Sequence, residues 1–152
     1  MSVAFRRESD DEHLEPKFEL PIPPGPNLVT ARGLALIGAR VEALEAELAG
    51  LSEETEIKRV KRDLRYWRTR QATAQLMPPP EGDAVAFGST VTFRIGGEAR
   101  TVTLVGDDEA DPAAGLLSFT APLSRALMGA EAGDEIDFGG KAGAIEVLGV
   151  NV

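Results

Sequence analysis

Leu34-Ala-Leu-Ile-Gly-Ala-Arg-Val-Glu-Ala-Leu-Glu-Ala-Glu-Leu-Ala-Gly-Leu51 contains large apolar residues that recur at alternating intervals of three and four. Ile57-Lys-Arg-Val-Lys-Arg-Asp-Leu-Arg-Tyr-Trp67 repeats this spacing after a short break. Each run gives the narrow apolar seam that is typical of a coiled coil. Because few residues separate the runs, they predict an antiparallel two-helix hairpin. Such a hairpin has no interior pocket, so its tip and outer faces are expected to carry the function.

Local signals set the expected ends of the two helices. Thr30 is a suitable N-cap for the first helix, and Gly50 is a suitable C-cap. Ser52 is the expected N-cap of the second helix, with glutamates in the first turn, where the helix dipole favours negative charge. The second helix is expected to end near Met77, because the prolines at 78–80 cannot extend it.

From Gly82 onward the apolar residues alternate with a period of two, which is typical of strands. Gly96-Gly97 lies between two such runs and predicts a two-residue hairpin turn. Residues 121–128 are the exception and predict one short helix. The sequence therefore predicts an α+β chain, in which the antiparallel coiled coil precedes an antiparallel sheet of about five strands.

These patterns divide the chain into four expected segments. Residues 1–29 are expected to form an extended or disordered tail, residues 30–77 the hairpin, residues 78–81 a stiff proline linker, and residues 82–152 the sheet domain. An alternative for the tail is that Phe18, Leu20 and Ile22 pack against the sheet domain.

The composition argues against most enzyme classes. The chain of 152 residues contains no cysteine and one histidine, so a disulfide framework, a thiolate nucleophile, a Cys-ligated zinc and a His-based triad are not expected. No resident cofactor, metal or catalytic residue is predicted. The chain also lacks the roughly 20 consecutive apolar residues of a membrane span and an apolar signal core at its start. We therefore expect a cytoplasmic protein without a membrane partner.

Charge is unevenly distributed within a net charge of −9. Residues 57–71 contain seven basic residues against the single acid Asp63, whereas the chain from Glu81 onward has 12 acids against four basic residues. A basic stripe beside an acidic domain suits docking on a large partner that offers both signs. The candidate basic face comprises Lys58, Arg62 and Arg65. An alternative is that Arg62 and Arg65 pair with glutamates of the first helix, as charges flanking a coiled-coil seam do.

Two stretches of the sheet domain carry a specific resemblance. They are Val105-Gly-Asp-Asp-Glu-Ala-Asp111 and Leu117-Ser-Phe-Thr-Ala-Pro-Leu-Ser-Arg-Ala-Leu-Met-Gly129. Both resemble the C-terminal domain of the GreA/GreB transcript cleavage factors, at similar spacing. Asn27-Leu-Val-Thr30 also resembles the way in which that family enters its first coiled-coil helix. The resemblance covers roughly residues 27–152.

The resemblance implies an FKBP-like C-terminal domain that docks beside the secondary channel of bacterial RNA polymerase, while the coiled coil enters the channel. Contact with nucleic acid would then be indirect, through the transcription complex. An alternative is that Pro122, Arg125 and Leu127 only build the domain. The docking candidates that the resemblance implies are Asp107, Asp108, Glu109, Asp111, Pro122 and Arg125.

The resemblance fails at the tip of the hairpin. In the family, an acidic pair within Asp-x-x-Glu-Asn-Ala-Glu/Asp-Tyr helps to hold a second Mg²⁺ at the polymerase's own active site. This chain lacks that motif, and its arm is shorter. Glu53, Glu54 and Glu56 are the acids available near the tip. They are either substitutes for the missing pair or ordinary first-turn acids that stabilise a helix N-terminus.

The sequence therefore favours a non-enzymatic regulator that binds RNA polymerase. One rival is a true cleavage factor that uses Glu53 and Glu56 with the polymerase's shared Mg²⁺. Another is a short-armed Rnk-type regulator of nucleoside diphosphate kinase. The last is a general interaction module unrelated to transcription.

Overall fold

The computed structural model describes residues 20–151. Its first part is the predicted hairpin, with α1 at Ala31–Ala49 and α2 at Glu54–Thr73. The alternating apolar residues form the seam between them and make a small separate core. The hairpin prediction is confirmed. Its fully buried seam residues are Ile37, Val41, Leu44, Val60 and Leu64.

The helix ends agree with the predictions at α1 and differ at α2. Thr30 caps α1 by accepting a hydrogen bond from the Gly33 amide, and Gly50 ends the helix. The N-cap of α2 is Glu53 rather than Ser52, because the Glu53 carboxylate reaches the free amide of Glu56.

The second helix also ends four residues earlier than predicted, at Thr73. Gln75–Leu76 forms a short strand, β2, which pairs in parallel with β1 at Leu28–Val29. The chain entering the hairpin and the chain leaving it are thus joined by backbone hydrogen bonds at the base. This pairing takes up amides that a longer helix would otherwise have used.

The C-terminal part is a five-stranded sheet with the order β5-β4-β3-β7-β6. The β3–β4 connection is the predicted Gly96-Gly97 turn, with φ of 57° and 82°. The predicted α+β fold is confirmed, with one difference: β4 and β5 pair in parallel, so the sheet is mixed. The strands are β3 (Thr90–Ile95), β4 (Glu98–Val105), β5 (Leu116–Ser118), β6 (Glu135–Phe138) and β7 (Lys141–Val150).

One core fills the sheet domain. The short helix α3, Pro122–Leu127, places Leu127 in a cluster with Phe93, Leu104 and Ile145, all of which are fully buried. The parallel β4–β5 pair requires a crossover between them, and the loop after Val105 provides its first part. That loop carries the acids at 107–109, and it lies against the base of the hairpin.

Residues Leu20 and Ile22 lie beside α2, in a shallow groove with Arg65, Tyr66 and Thr69. The alternative that they pack on the sheet domain is therefore wrong. The aromatic ring of Tyr66 and the aliphatic part of Arg65 offer apolar surface there. The remaining residue of that alternative, Phe18, lies outside the described residues.

Across residues 20–151, none of the helices is both long and apolar enough to cross a bilayer.

Candidate functional site

The three glutamates near the tip of the hairpin each have a local role. The Glu53 carboxylate accepts a hydrogen bond of 2.9 Å from the Glu56 amide, which caps the helix. The Glu54 carboxylate lies 3.6 Å from the Lys58 ammonium, one turn along. The Glu56 carboxylate is paired at 2.9 Å with Arg59. This arrangement supports the interpretation that they stabilise the start of α2.

Arg59 links the two helices near the tip of the hairpin. Its guanidinium pairs with Glu56 on its own helix and, at 2.9 Å, with Glu47 on α1. The hydrogen bond to Glu56, followed by that to Glu47, raises the pKa of Arg59 above its ordinary value. Glu56, one of the two acids that the cleavage-factor alternative uses, is thus paired with a cation of its own helix.

Within residues 20–151, no three acidic or histidine side chains converge as a metal site built by this chain alone would require. The carboxylate of Glu53 instead serves the helix cap, and that of Glu56 pairs with Arg59. We therefore derive no catalytic step through Mg²⁺ at this end of the molecule.

Most basic residues of α2, with Arg70 as the exception, reach solvent. Two cross-helix ion pairs join α2 to α1, Arg59 with Glu47 at 2.9 Å and Arg68 with Glu45 at 2.8 Å. Both pairs are largely exposed, so each contributes little stability. The pairing of Arg62 and Arg65 with glutamates of α1 stays a prediction. The predicted basic face keeps Lys58 64% exposed, whereas Arg62 is half-buried and Arg65 is exposed.

A buried ion pair joins the base of the hairpin to the sheet domain. The Arg70 guanidinium donates to Asp108 at 2.6 Å, and the two side chains are 2% and 6% exposed. Arg70 also donates to the Asn27 side-chain oxygen at 2.8 Å. The Asn27 amide nitrogen in turn donates to the Arg70 carbonyl at 2.8 Å. Three distant segments of the chain therefore meet at one arginine, and each polar group of the pair is satisfied.

Glu109 makes a second junction on the opposite helix. Its carboxylate accepts hydrogen bonds from the Thr30 hydroxyl at 2.6 Å and from Arg32 at 2.8 Å. The Glu109 side chain is 4% exposed. Because Thr30 is also the N-cap of α1, the sheet domain is connected directly to the first turn of the hairpin.

Two glycines allow this close approach. A Cβ on Gly33 would lie 2.8 Å from the Glu109 carboxylate. A Cβ on Gly106 would lie 2.3 Å from the backbone oxygen of Leu28. Both distances are shorter than van der Waals contact, so the hairpin sits against the sheet domain only because these side chains are absent.

Tyr66 completes the junction, and its hydroxyl donates to Asp108. Burial, together with this hydrogen bond to a carboxylate, raises the pKa of Tyr66 well above the ordinary value for tyrosine. Ionisation would place a second negative charge beside Asp108. The folded protein therefore holds the Tyr66 proton more tightly than the unfolded chain does.

We expect the junction to weaken in alkali. An unfolded tyrosine loses its proton near about pH 10, whereas folded Tyr66 still holds it there, so the free energy of unfolding should fall as the pH rises from that point. Tyr66→Phe should show a shallower decline. The chain has a single tyrosine, so tyrosinate absorbance reports this group alone. A titration midpoint at the value for free tyrosine would contradict the expectation.

The docking candidates that the resemblance implied are divided by the structure. The carboxylates of Asp108 and Glu109 are buried and serve the junction. Asp107 is partly covered, and it accepts hydrogen bonds from Ser118 and Thr120. Exposed positions with access to a partner are Asp111, Pro122 and Arg125.

Sequence reasoning did not find the junction. Arg70 was one of seven basic residues in a run, and nothing in the local pattern separates it from the exposed ones. Asn27 was noted only as part of the entry into the first helix. The available signal was that Arg70 lies near the end of α2. This end of the helix is beside the segment that leads into α1 and contains Asn27.

Comparison with known proteins identifies the C-terminal part. The family described as transcription elongation factor, GreA/GreB, C-terminal domain, matches residues 79–151. Residues 79–151 therefore belong to the GreA/GreB family. This match covers the whole sheet and the acidic loop that contacts the hairpin.

Curated relatives in the family are named as transcription elongation factor GreA. The protein from Desulfovibrio desulfuricans is 39% identical over 94 residues, which cover 58% of each chain. The protein from Nitratidesulfovibrio vulgaris strain DP4 is 36% identical over 107 residues, covering 67% of this chain and 66% of the relative. The chain thus spans little more than half the length of the first of these relatives.

A solved GreA/GreB structure from Nitrosomonas europaea is 26% identical and has a TM-score of 0.39. The alignment covers 85% of this chain and all of that one.

Proposed function

We propose that this protein is a non-enzymatic regulator that binds bacterial RNA polymerase at its secondary channel. The sheet domain would dock at the rim, and the hairpin would enter the opening. The observation that carries this proposal is the buried junction of Arg70 with Asp108, which fixes a GreA/GreB-type domain to a projecting hairpin. A factor that inserts an arm into another enzyme needs that arm held in one direction.

The length of the hairpin supports a regulatory role. Helices of 19 and 20 residues give an arm of about 30 Å at a rise of 1.5 Å per residue. We expect this arm to occupy the outer part of the channel and to modulate elongation, initiation or access by other factors. Contact with nucleic acid would be indirect, through the transcription complex.

The chemistry of the tip argues in the same direction. A cleavage factor must present free carboxylates to the metal of the polymerase. Here Glu53 caps a helix and Glu56 is paired with Arg59. The protein needs no cofactor for the proposed role, and the only metal in its surroundings would be the Mg²⁺ of the polymerase.

A backtracked transcription complex tests the proposal. Purified protein should bind polymerase without accelerating cleavage of the backtracked RNA. The variant Glu53→Gln/Glu56→Gln should bind with the same affinity and give the same cleavage rate. If the unmodified protein instead accelerates cleavage, and the double variant does not, the cleavage-factor alternative is correct.

Binding measurements separate the remaining alternatives. Purified polymerase immobilised on beads should retain the protein, and the charge-reversed variant Arg125→Glu, at an exposed docking candidate, should be retained less. Retention by nucleoside diphosphate kinase but not by polymerase would support the Rnk-type alternative. Retention by neither would favour a general interaction module.

A further inference from the structure

The outer side of α2 is a continuous basic surface. Its residues recur at intervals of three and four, which places them on one side of the helix. The side chains at its two ends are largely exposed, Lys58 by 64% and Arg68 by 54%, and they pair with Glu54 and Glu45 respectively. We call this surface the basic face. It consists of the predicted Lys58, Arg62 and Arg65 together with Lys61 and Arg68.

The chain that precedes the hairpin runs along this helix. Asn27 is bonded to Arg70 and Thr73 near the base of α2. Leu20 and Ile22, earlier in the chain, lie in the groove beside residues 65–69. Going backward along the chain, the contacts therefore move from the base of α2 toward its tip. The first described residues thus lie beside the end of the basic face that is nearer the base, at Arg65 and Arg68.

The sequence immediately before this point is acidic. Glu8-Ser-Asp-Asp-Glu-His-Leu-Glu15 contains five acids and neither lysine nor arginine. We call this stretch the acidic segment. It lies five to 12 residues before Leu20, so a chain of at most about 3.6 Å per residue could span up to roughly 18–43 Å from there. The distance along α2 from Arg65 to Lys58 is only about 10 Å.

We propose that the acidic segment binds the basic face of the same molecule. The direction of the described chain delivers it there, its length suffices, and its charge is complementary. Single exposed ion pairs are weak, but a short tether gives an effective concentration on the order of millimolar. The segment thereby covers the basic face and competes with any polyanion for it. This inference does not depend on the identity of the protein's partner.

A spin label detects the contact directly. Because the chain has no cysteine, Ser9→Cys provides a single attachment site within the acidic segment. We expect the label to broaden the amide signals of residues 58–68 and to leave those of β7 sharp. The broadening should disappear at about 1 M salt, where the screening length falls to about 3 Å.

A matched pair of charge variants tests whether the contact depends on the acidic segment or only on the net charge of the protein. The first variant neutralises the acidic segment, and the second removes the same number of exposed acids from the linker and the sheet domain. Only the first should lose the broadening of α2, and it should bind a heparin oligosaccharide several-fold more tightly than the second. The substitutions are Glu8→Gln, Asp10→Asn, Asp11→Asn, Glu12→Gln and Glu15→Gln in the first variant, and Glu81→Gln, Asp83→Asn, Glu98→Gln, Glu131→Gln and Glu135→Gln in the second.

Three results would overturn the proposal. The first is an unbroadened α2 in the labelled protein at low salt. The second is equal heparin affinity of the two charge variants, which would reduce the effect to net charge. The third is broadening that arises only between molecules. It would be seen when spin-labelled protein at natural isotope abundance is mixed with ¹⁵N-enriched protein that carries no spin label. That result would assign the contact to a second copy.

Discussion

Replacing Arg70 by methionine is expected to lower the free energy of unfolding by about 3–5 kcal/mol, because it leaves a buried carboxylate without its cation. Methionine keeps most of the length of the side chain, so the loss of charge dominates. Asp108 is 6% exposed, and of the partners at the junction Tyr66 would still donate to it. Since a whole domain is typically stable by only about 5–15 kcal/mol, the effect is large. Urea denaturation, followed by the fluorescence of the single tryptophan, Trp67, measures it.

The same change at Arg68 is the matched control. Arg68 is on the same helix, and its pair with Glu45 is 54% and 49% exposed. Arg68→Met should therefore cost less than about 1 kcal/mol. A double-mutant cycle adds Asp108→Leu to Arg70→Met, and the double variant should be more stable than the sum of the single losses predicts. Equal costs for the two arginine variants would refute the role given to the buried junction.

Replacing Gly106 by alanine is expected to cost about 1–3 kcal/mol, because it overpacks the contact between the sheet domain and the chain entering the hairpin. The new Cβ would lie 2.3 Å from the Leu28 backbone oxygen. Leu28 cannot easily move away, since β1 is held to β2 by hydrogen bonds from the amides of Gln75 and Met77. Thermal unfolding measures the loss, and faster hydrogen exchange at Gln75 and Met77 would locate it.

Gly38→Ala is the control for Gly106→Ala, because it makes the same substitution at a position where the new Cβ has room. Gly38 lies within α1, and its Cβ would be 3.6 Å from Gln71, an ordinary contact. Gly38→Ala should stabilise the protein by up to about 1 kcal/mol, because alanine favours the helix. The two alanine variants are thus expected to have opposite signs. If Gly106→Ala were also stabilising, the junction would be looser than the structure indicates.

Both substitutions, Arg70→Met and Gly106→Ala, are expected to affect the orientation of the hairpin as well as the stability of the protein. The hairpin has its own core, so a variant with a weakened junction can retain the helices while losing their fixed direction. In the proposed function, such a variant should bind polymerase less well although its helix content is preserved. Circular dichroism together with the binding assay distinguishes a released arm from an unfolded one.

Much of the fold was predictable because its signals are local. The spacing of three and four among the apolar residues from Leu34 to Leu51 can be recognised within a single stretch of sequence. Gly96-Gly97 likewise supplies the positive φ values of its turn within two residues. The early end of α2 was not predictable in this way. It depends on the pairing of Gln75 with Leu28, two residues that lie far apart in the sequence.

The seam of the hairpin, the strands and the family of the C-terminal domain could be predicted from the sequence, because spacing and short motifs encode each of them. The roles of the acids could not be predicted in this way, because they depend on tertiary contacts. The fold buried Asp108 against Arg70 and Glu109 against Thr30, and it gave Glu53 to a helix cap. The sequence gives the formal charge of each side chain. Whether that charge faces water or a partner depends on which distant segments the fold brings together, and this sets its desolvation and its energy.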